Sequence, residues 1–208
     1  MTIITRIGKG SSLTWTEEDG NFTDLDNRTK EAWNTISGDM STAGVADPPT
    51  KTPYKGTVLL DLYDPNNICE CSVVFHMPHD FVVGSSWYPH GHFHSPTASS
   101  GVVRWGFQLM WANQYRLADF GRSPLSSEIF TNPATGYVEV TMDASHQDAN
   151  NTAESTTPFT VAGLGPGAVI LMRVFRDATH VNDTYPDGMF LTNVSIAYRS
   201  QNFGTSTI

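Results

Sequence analysis

"GVVRWGFQLMWAN", residues 101–113, alternates along its whole length. Val103, Trp105, Phe107, Leu109 and Trp111 fall on one side of an extended chain, and Arg104, Gly106, Gln108, Met110 and Ala112 on the other. Successive side chains of a strand point to opposite faces, so the first set reads as a core stripe and the second as an outer face. A helix would scatter the same residues around its axis. The aromatic stripe is thus read as core rather than as a ligand platform.

Working outward, the chain after Gly56 reads as further strands separated by turns. They are "TVLLDLY" (57–63), "CECSVVFH" (69–76), "SWYPHGHFH" (86–94), "GYVEVTMDAS" (136–145), "TPFTVAG" (157–163), "AVILMRVFRD" (168–177) and "MFLTNVSIAYRS" (189–200). The breakers "DPNN", "NPATG", "GPG" and "YPDG" stand between them. Eight short strands with no helical pattern between them predict an all-β antiparallel sandwich, with a jelly roll as the most economical arrangement. In "ILMRVFRDA" both faces stay apolar until Arg173 and Arg176, as expected of a central strand or of one covered by a neighbouring subunit.

Upstream the pattern differs. From Thr16, a possible cap, through the acidic Glu17, Glu18 and Asp19 to Gly38, the spacing predicts a helix over about 16–37. Phe22, Leu25, Thr29, Ala32, Trp33 and Ile36 would share one face of it. One amphipathic helix cannot bury its own stripe, so Phe22, Leu25, Trp33 and Ile36 are candidate attachment residues. "MSTAGVADPPTKTPYKG" then reads as an extended linker. The expected organisation is an N-terminal arm over 1–50 and a β domain over 51–208.

Composition narrows function. Net charge is -9, and every lysine lies at or before Lys55, leaving six arginines against thirteen acids in 56–208. Such a surface repels phosphates, so nucleic acid is not an expected partner. No apolar run approaches the ~18 residues a membrane span needs, and the first residues lack a long apolar signal stretch. No membrane association and a cytosolic origin are expected. Cys69 and Cys71 lie two apart, where a disulfide would be strained, and read as reduced core cysteines.

His90, His92 and His94 raise the question of a metal. Alternate positions put all three on one strand face, about 6–7 Å apart in succession. Two can chelate one ion, but three along a straight strand cannot converge on it. A mononuclear catalytic site would draw further ligands from His76, His79, His146, His180 or a carboxylate. The acid that a cupin-like site requires after H-x-H is missing, since none occurs until Asp119. Alternatively the strand lies beside a threefold axis and three chains share a divalent ion, or the histidines form an ordinary polar face. "GLGPG" (163–167) lacks the Lys-Ser or Lys-Thr of a phosphate loop. Asp177, His180 and Asp183 read as loop formers, and no catalytic residues are assigned.

Two stretches carry a family resemblance. "GSSLTWTEEDGNFTDLDNRTKEAWNTI" is similar to a segment of bacteriophage tail and fibre proteins, and "WYPHGHFHSPTASSGVVRWGFQLMWAN" resembles the P-H-x-H strand and following strand of jelly-roll proteins among phage structural genes. A third histidine departs from that pattern. The H-x-H run also resembles the metal stacks of trimeric phage fibre tips. The resemblance implies a non-enzymatic virion structural protein, a homotrimer made in the bacterial cytoplasm. One placement is a capsid decoration (cement) protein docked on the major capsid protein. The alternative is a short tail or neck fibre or receptor-binding knob bound to tail or neck proteins. Missing shaft repeats favour the head. A metal-dependent cupin-like enzyme is the third reading.

Overall fold

The computed structural model describes residues 14, 32–112, 134–155, 159 and 164–201. Its strands are β1 (Ala32–Ser37), β2 (Asp39–Ser41), β3 (Thr50–Tyr54), β4 (Val58–Tyr63), β5 (Ile68–His76) and β6 (Trp87–His94), followed by β7 (Gly101–Ala112), β8 (Ala134–Met142), β9 (Asn151–Glu154), β10 (Val169–Asp177) and β11 (Met189–Ser200). They form two sheets in which every strand pairing is antiparallel: β3-β4-β11-β6-β9 with β1 also on β11, and β2-β5-β10-β7-β8.

The order has a simple origin. β7 pairs β8, β6 pairs β9, β5 pairs β10 and β4 pairs β11, so these eight strands form one long antiparallel ribbon with β7 and β8 at its inner end. Rolling the ribbon brings β11 against β6 and β10 against β7, which splits it into two facing sheets. This is a jelly-roll sandwich, as the alternating strands predict.

The core lies between the sheets. Val103, Trp105, Phe107 and Leu109 are buried, as their alternation requires, and Trp111 packs at the margin. Trp105 meets Tyr63 and Phe93 with ring centroids 5.1 and 5.6 Å apart, edge-on and tilted, the arrangements that aromatic quadrupoles favour. On β10, Ile170, Met172 and Val174 enter the same core.

The expected helix over 16–37 is corrected at its end: residues 32–37 are β1. The rest of that helix, with Phe22 and Leu25, lies outside the described residues. "AWNTIS" is rich in aromatic and β-branched residues, which favour a pleated surface, and it finds an open edge. β4 pairs β11 only over Met189–Leu191, and beyond the bulge between Leu191 and Asn193 β1 takes over along Ser195–Ser200. Trp33 and Ile36, three apart, share a helix face but lie on opposite strand faces: Ile36 packs on the core and Trp33 stays 47% exposed. Gly38, expected to stop the helix, instead joins β1 in one sheet to β2 in the other. A Cβ there would overlap Val73 and Phe75. The arm expected over 1–50 thus contributes its residues 32–41 to both sheets.

Of the eight expected strands, the sixth, over 157–163, lies outside the described residues except for one position. That position is Phe159, which bridges Trp87, and the ribbon is completed by β9 at 151–154. No helix among the described residues is long and apolar enough to cross a membrane.

Candidate functional site

β6 turns Trp87, Pro89, Gly91 and Phe93 inward and Tyr88, His90, His92 and His94 outward, all four outward residues half-buried. The expected single histidine face is therefore the outer face of the larger sheet. Cross-strand register sets its neighbours. Tyr88 lies opposite Ala197, His90 between Ser195 and Glu154, His92 between Asn193 and Thr152, and His94 opposite Phe190. The His90 and His92 rings meet edge-on at 5.3 Å, and His92 Nδ1 lies 3.4 Å from Thr152 Oγ1. Burial, then the neighbouring His92, lowers the pKa of His90, against the opposing pull of Glu154. His90 is therefore neutral at pH 7.

The two ends of this face differ. At one end the β3–β4 hairpin curls over His94, closed by a turn with Lys55 and Gly56 at φ 48 and 73, a left-handed conformation that glycine accepts readily. Tyr54 packs against His94, tilted, and against Phe190, edge-on, with ring centroids 5.7 and 5.1 Å apart. Its hydroxyl donates to Asp148 (2.8 Å), and Lys55 pairs with the same carboxylate (3.0 Å). The hydrogen bonds from Lys55 and then Tyr54 hold Asp148 below the usual carboxylate range.

At the other end, β1 places Trp33 beside Arg199, whose guanidinium sits 4.4 Å from the indole centre. Trp33 leans across Ala197 toward Tyr88, the rings 5.5 Å apart at 58°. A cavity of about 600 Å³ opens there, lined among the described residues by Trp33, Tyr88, Glu154, Ser155 and Ala197.

Among the described residues no three His, Cys, Asp or Glu side chains of one chain are grouped to hold a metal, so His76, His79, His146 and His180 do not complete a site with the row. His146 instead closes a capping box with Asp143 around the short 3-10 turn Ala144–His146. Asp183 accepts from Arg176 and from the backbone of Arg104, and Asp177 pairs with Arg104, so both acids brace the β10–β11 loop. Cys69 and Cys71 are free and buried, and burial pushes the Cys71 thiol up to about 11, away from thiolate chemistry. The attachment set is divided: Ile36 faces inward, Trp33 lines the cavity, and Phe22 and Leu25 lie outside the described residues. The grouping of Trp33 with Tyr88, Glu154 and Arg199 was not expected. It depends on β1 joining β11, which a helical reading of 32–37 precludes.

The fold and this outer face define a jelly-roll sandwich with a half-open aromatic cavity at one end of a histidine row. The sequence matches no protein-family model and no curated protein. Latent PorU from Porphyromonas gingivalis is similar over 83% of this chain and 13% of its own, at 10% identity and a TM-score of 0.37. The enzymatically active domain of tailspike protein 4 of bacteriophage CBA120 is similar over 83% of this chain and 20% of its own, at 6% identity and a TM-score of 0.31. VP1 of human polyomavirus 6, solved as a pentamer, is similar over 83% of this chain and 94% of its own, at 9% identity and a TM-score of 0.29. The chain spans no more than a fifth of the length of the first two. The fold assignment rests on the strand pairing itself.

Proposed function

We propose that this protein is a structural component of a bacteriophage virion, a homotrimeric capsid decoration protein that is made in the bacterial cytoplasm and docks on the major capsid protein through its N-terminal region. The observation that carries the assembly is the outer face of the smaller sheet. Met110, Leu171 and Val74 form one cross-strand row there, half-buried or, for Val74, 39% exposed, beside a depression of about 330 Å³. Outer faces of antiparallel sheets are ordinarily polar, and an apolar row on a central strand is what a second copy would cover. The phage resemblance of residues 10–36 and 87–113 supports the virion setting. On this reading His90, His92 and His94 serve a surface or an interface, where a divalent ion would be shared between chains.

The tail-like segment "GSSLTWTEEDGNFTDL" favours a second placement, a short tail or neck fibre. Quantifying the chain in purified virions by mass spectrometry tests both. A copy number comparable to that of the major capsid protein supports decoration, and one comparable to tail components supports the fibre. Absence from the particle overturns the virion role.

A further inference from the structure

Among the described tryptophans, Trp87 and Trp105 are buried and Trp111 is partly so, whereas Trp33 is 47% exposed. Its ring is nevertheless held in place. The Arg199 guanidinium packs on it by a cation–π contact, and Tyr88 meets it from across β11. The residue beneath is Ala197, and a longer side chain there would fill the space between the rings. An exposed indole braced on two sides, over a floor kept low, is a preformed wall rather than a leftover of the core. The cavity volume lies in the range of small-molecule sites.

The polar groups around it decide the class of ligand. Glu154 on β9 supplies a carboxylate to the cavity wall, whereas the Arg199 guanidinium is already engaged on the Trp33 ring. A guanidinium already resting on Trp33 disfavours a further cation there, and the carboxylate of Glu154 together with the net charge of -9 disfavours anions. What remains is a neutral molecule bearing hydroxyls, which donate to a carboxylate. The aromatic wall asks for a flat apolar face on the same molecule. A pyranose ring has both, with its C–H face for stacking and its hydroxyls around the rim. The outer face extends beyond the cavity. From Tyr88 to His94 the outward row of β6 runs about 20 Å, over the small polar Ser195 and Asn193, and ends at the latched hairpin tip.

We infer that the outer face of the larger sheet binds a neutral oligosaccharide, with one sugar ring against Trp33 and Tyr88 and its hydroxyls held by Glu154, while Arg199 braces the indole. The inference rests on this cleft and stands apart from the virion reading.

The test uses the full chain on an array of neutral hexose and N-acetylhexosamine oligosaccharides, followed by calorimetric titration of the strongest binder. Saturable binding that is little changed by added salt is expected. Trp33→Ala and Tyr88→Ala should each weaken it by about tenfold or more, equivalent to about 1.4 kcal/mol, and Glu154→Gln should weaken it less. Melting midpoints measured alongside separate lost binding from lost folding. Trp33→Phe keeps a stacking surface and should retain most of the affinity even if Trp33→Ala folds poorly. No binding across the array overturns the inference, as does binding that survives Tyr88→Ala and Glu154→Gln in folded protein. If Trp33→Ala changes the sedimentation of the protein while no glycan binds, the cleft is an interface between copies and the inference fails.

Discussion

Arg176 has no exposed surface, although a strand interior is a costly place for a guanidinium. Its cost is met in full. Nε and Nη2 donate to the two Asp183 oxygens at 3.0 and 2.8 Å, Nη1 to the carbonyl of Asp187 at 2.6 Å, and Nη2 also to that of Tyr185 at 2.7 Å. Asp183 is equally buried, so removing the arginine alone strands a carboxylate. Arg176→Ala should therefore lose about 3–5 kcal/mol in urea denaturation, while replacing both partners with apolar residues should lose much less. His90 gives a second residue-scale prediction. Burial and His92 lower its pKa from the ordinary 6.5, so the unfolded chain binds its proton more readily than the folded one. The stability it confers is complete above that value and is lost as pH falls through it toward the folded pKa. Denaturation midpoints should drop between pH 8 and pH 5, and His90→Gln should shrink the drop. The common face of the three histidines was legible in the sequence because alternation is a local property. The meeting of Trp33 with Tyr88 was not, since it is built through β11, more than 100 residues from either along the chain.

At the scale of elements, seven of the eight expected strands correspond to real ones because their faces alternate or their length is apolar. β2, β3 and β9 escaped because they are short and polar: "DMS", "TKTPY" and "NTAE" carry no periodic signal, and Pro53 is tolerated only because β3 is an edge strand. β1 escaped for a different reason. Trp33 and Ile36 fit a helical stripe locally, and tertiary pairing with the free edge of β11 overrode it. This changes what truncation should do. A chain lacking residues 1–50 loses β1, β2 and the packing of Ile36 and Met40 on the core. It should be less stable by about 2–4 kcal/mol, seen as a lower urea midpoint, rather than leave the β domain untouched. An unchanged midpoint would mean that β1 contributes nothing to the sandwich.

For the whole molecule, the class of fold followed from counting strands and turns, whereas the division into two sheets did not. Alternation reports which face of a strand is buried but carries no information about its partner, and the ribbon that pairs β4 with β11 spans nearly the whole described chain. The same reasoning applies to assembly. The two apolar faces of β10 pointed to cover by sheet neighbours or by another subunit. In the structure β5 and β7 flank it within its sheet, and Leu171 still stands on the outer face between Val74 and Met110. Sedimentation equilibrium of the full chain over the micromolar range is the direct test of the proposed assembly. The account predicts one species of three times 22.8 kDa, shifted toward monomer by Leu171→Asp, which sets a carboxylate in the apolar row without touching the core. A 22.8 kDa monomer at every concentration, or a trimer indifferent to that substitution, would contradict it.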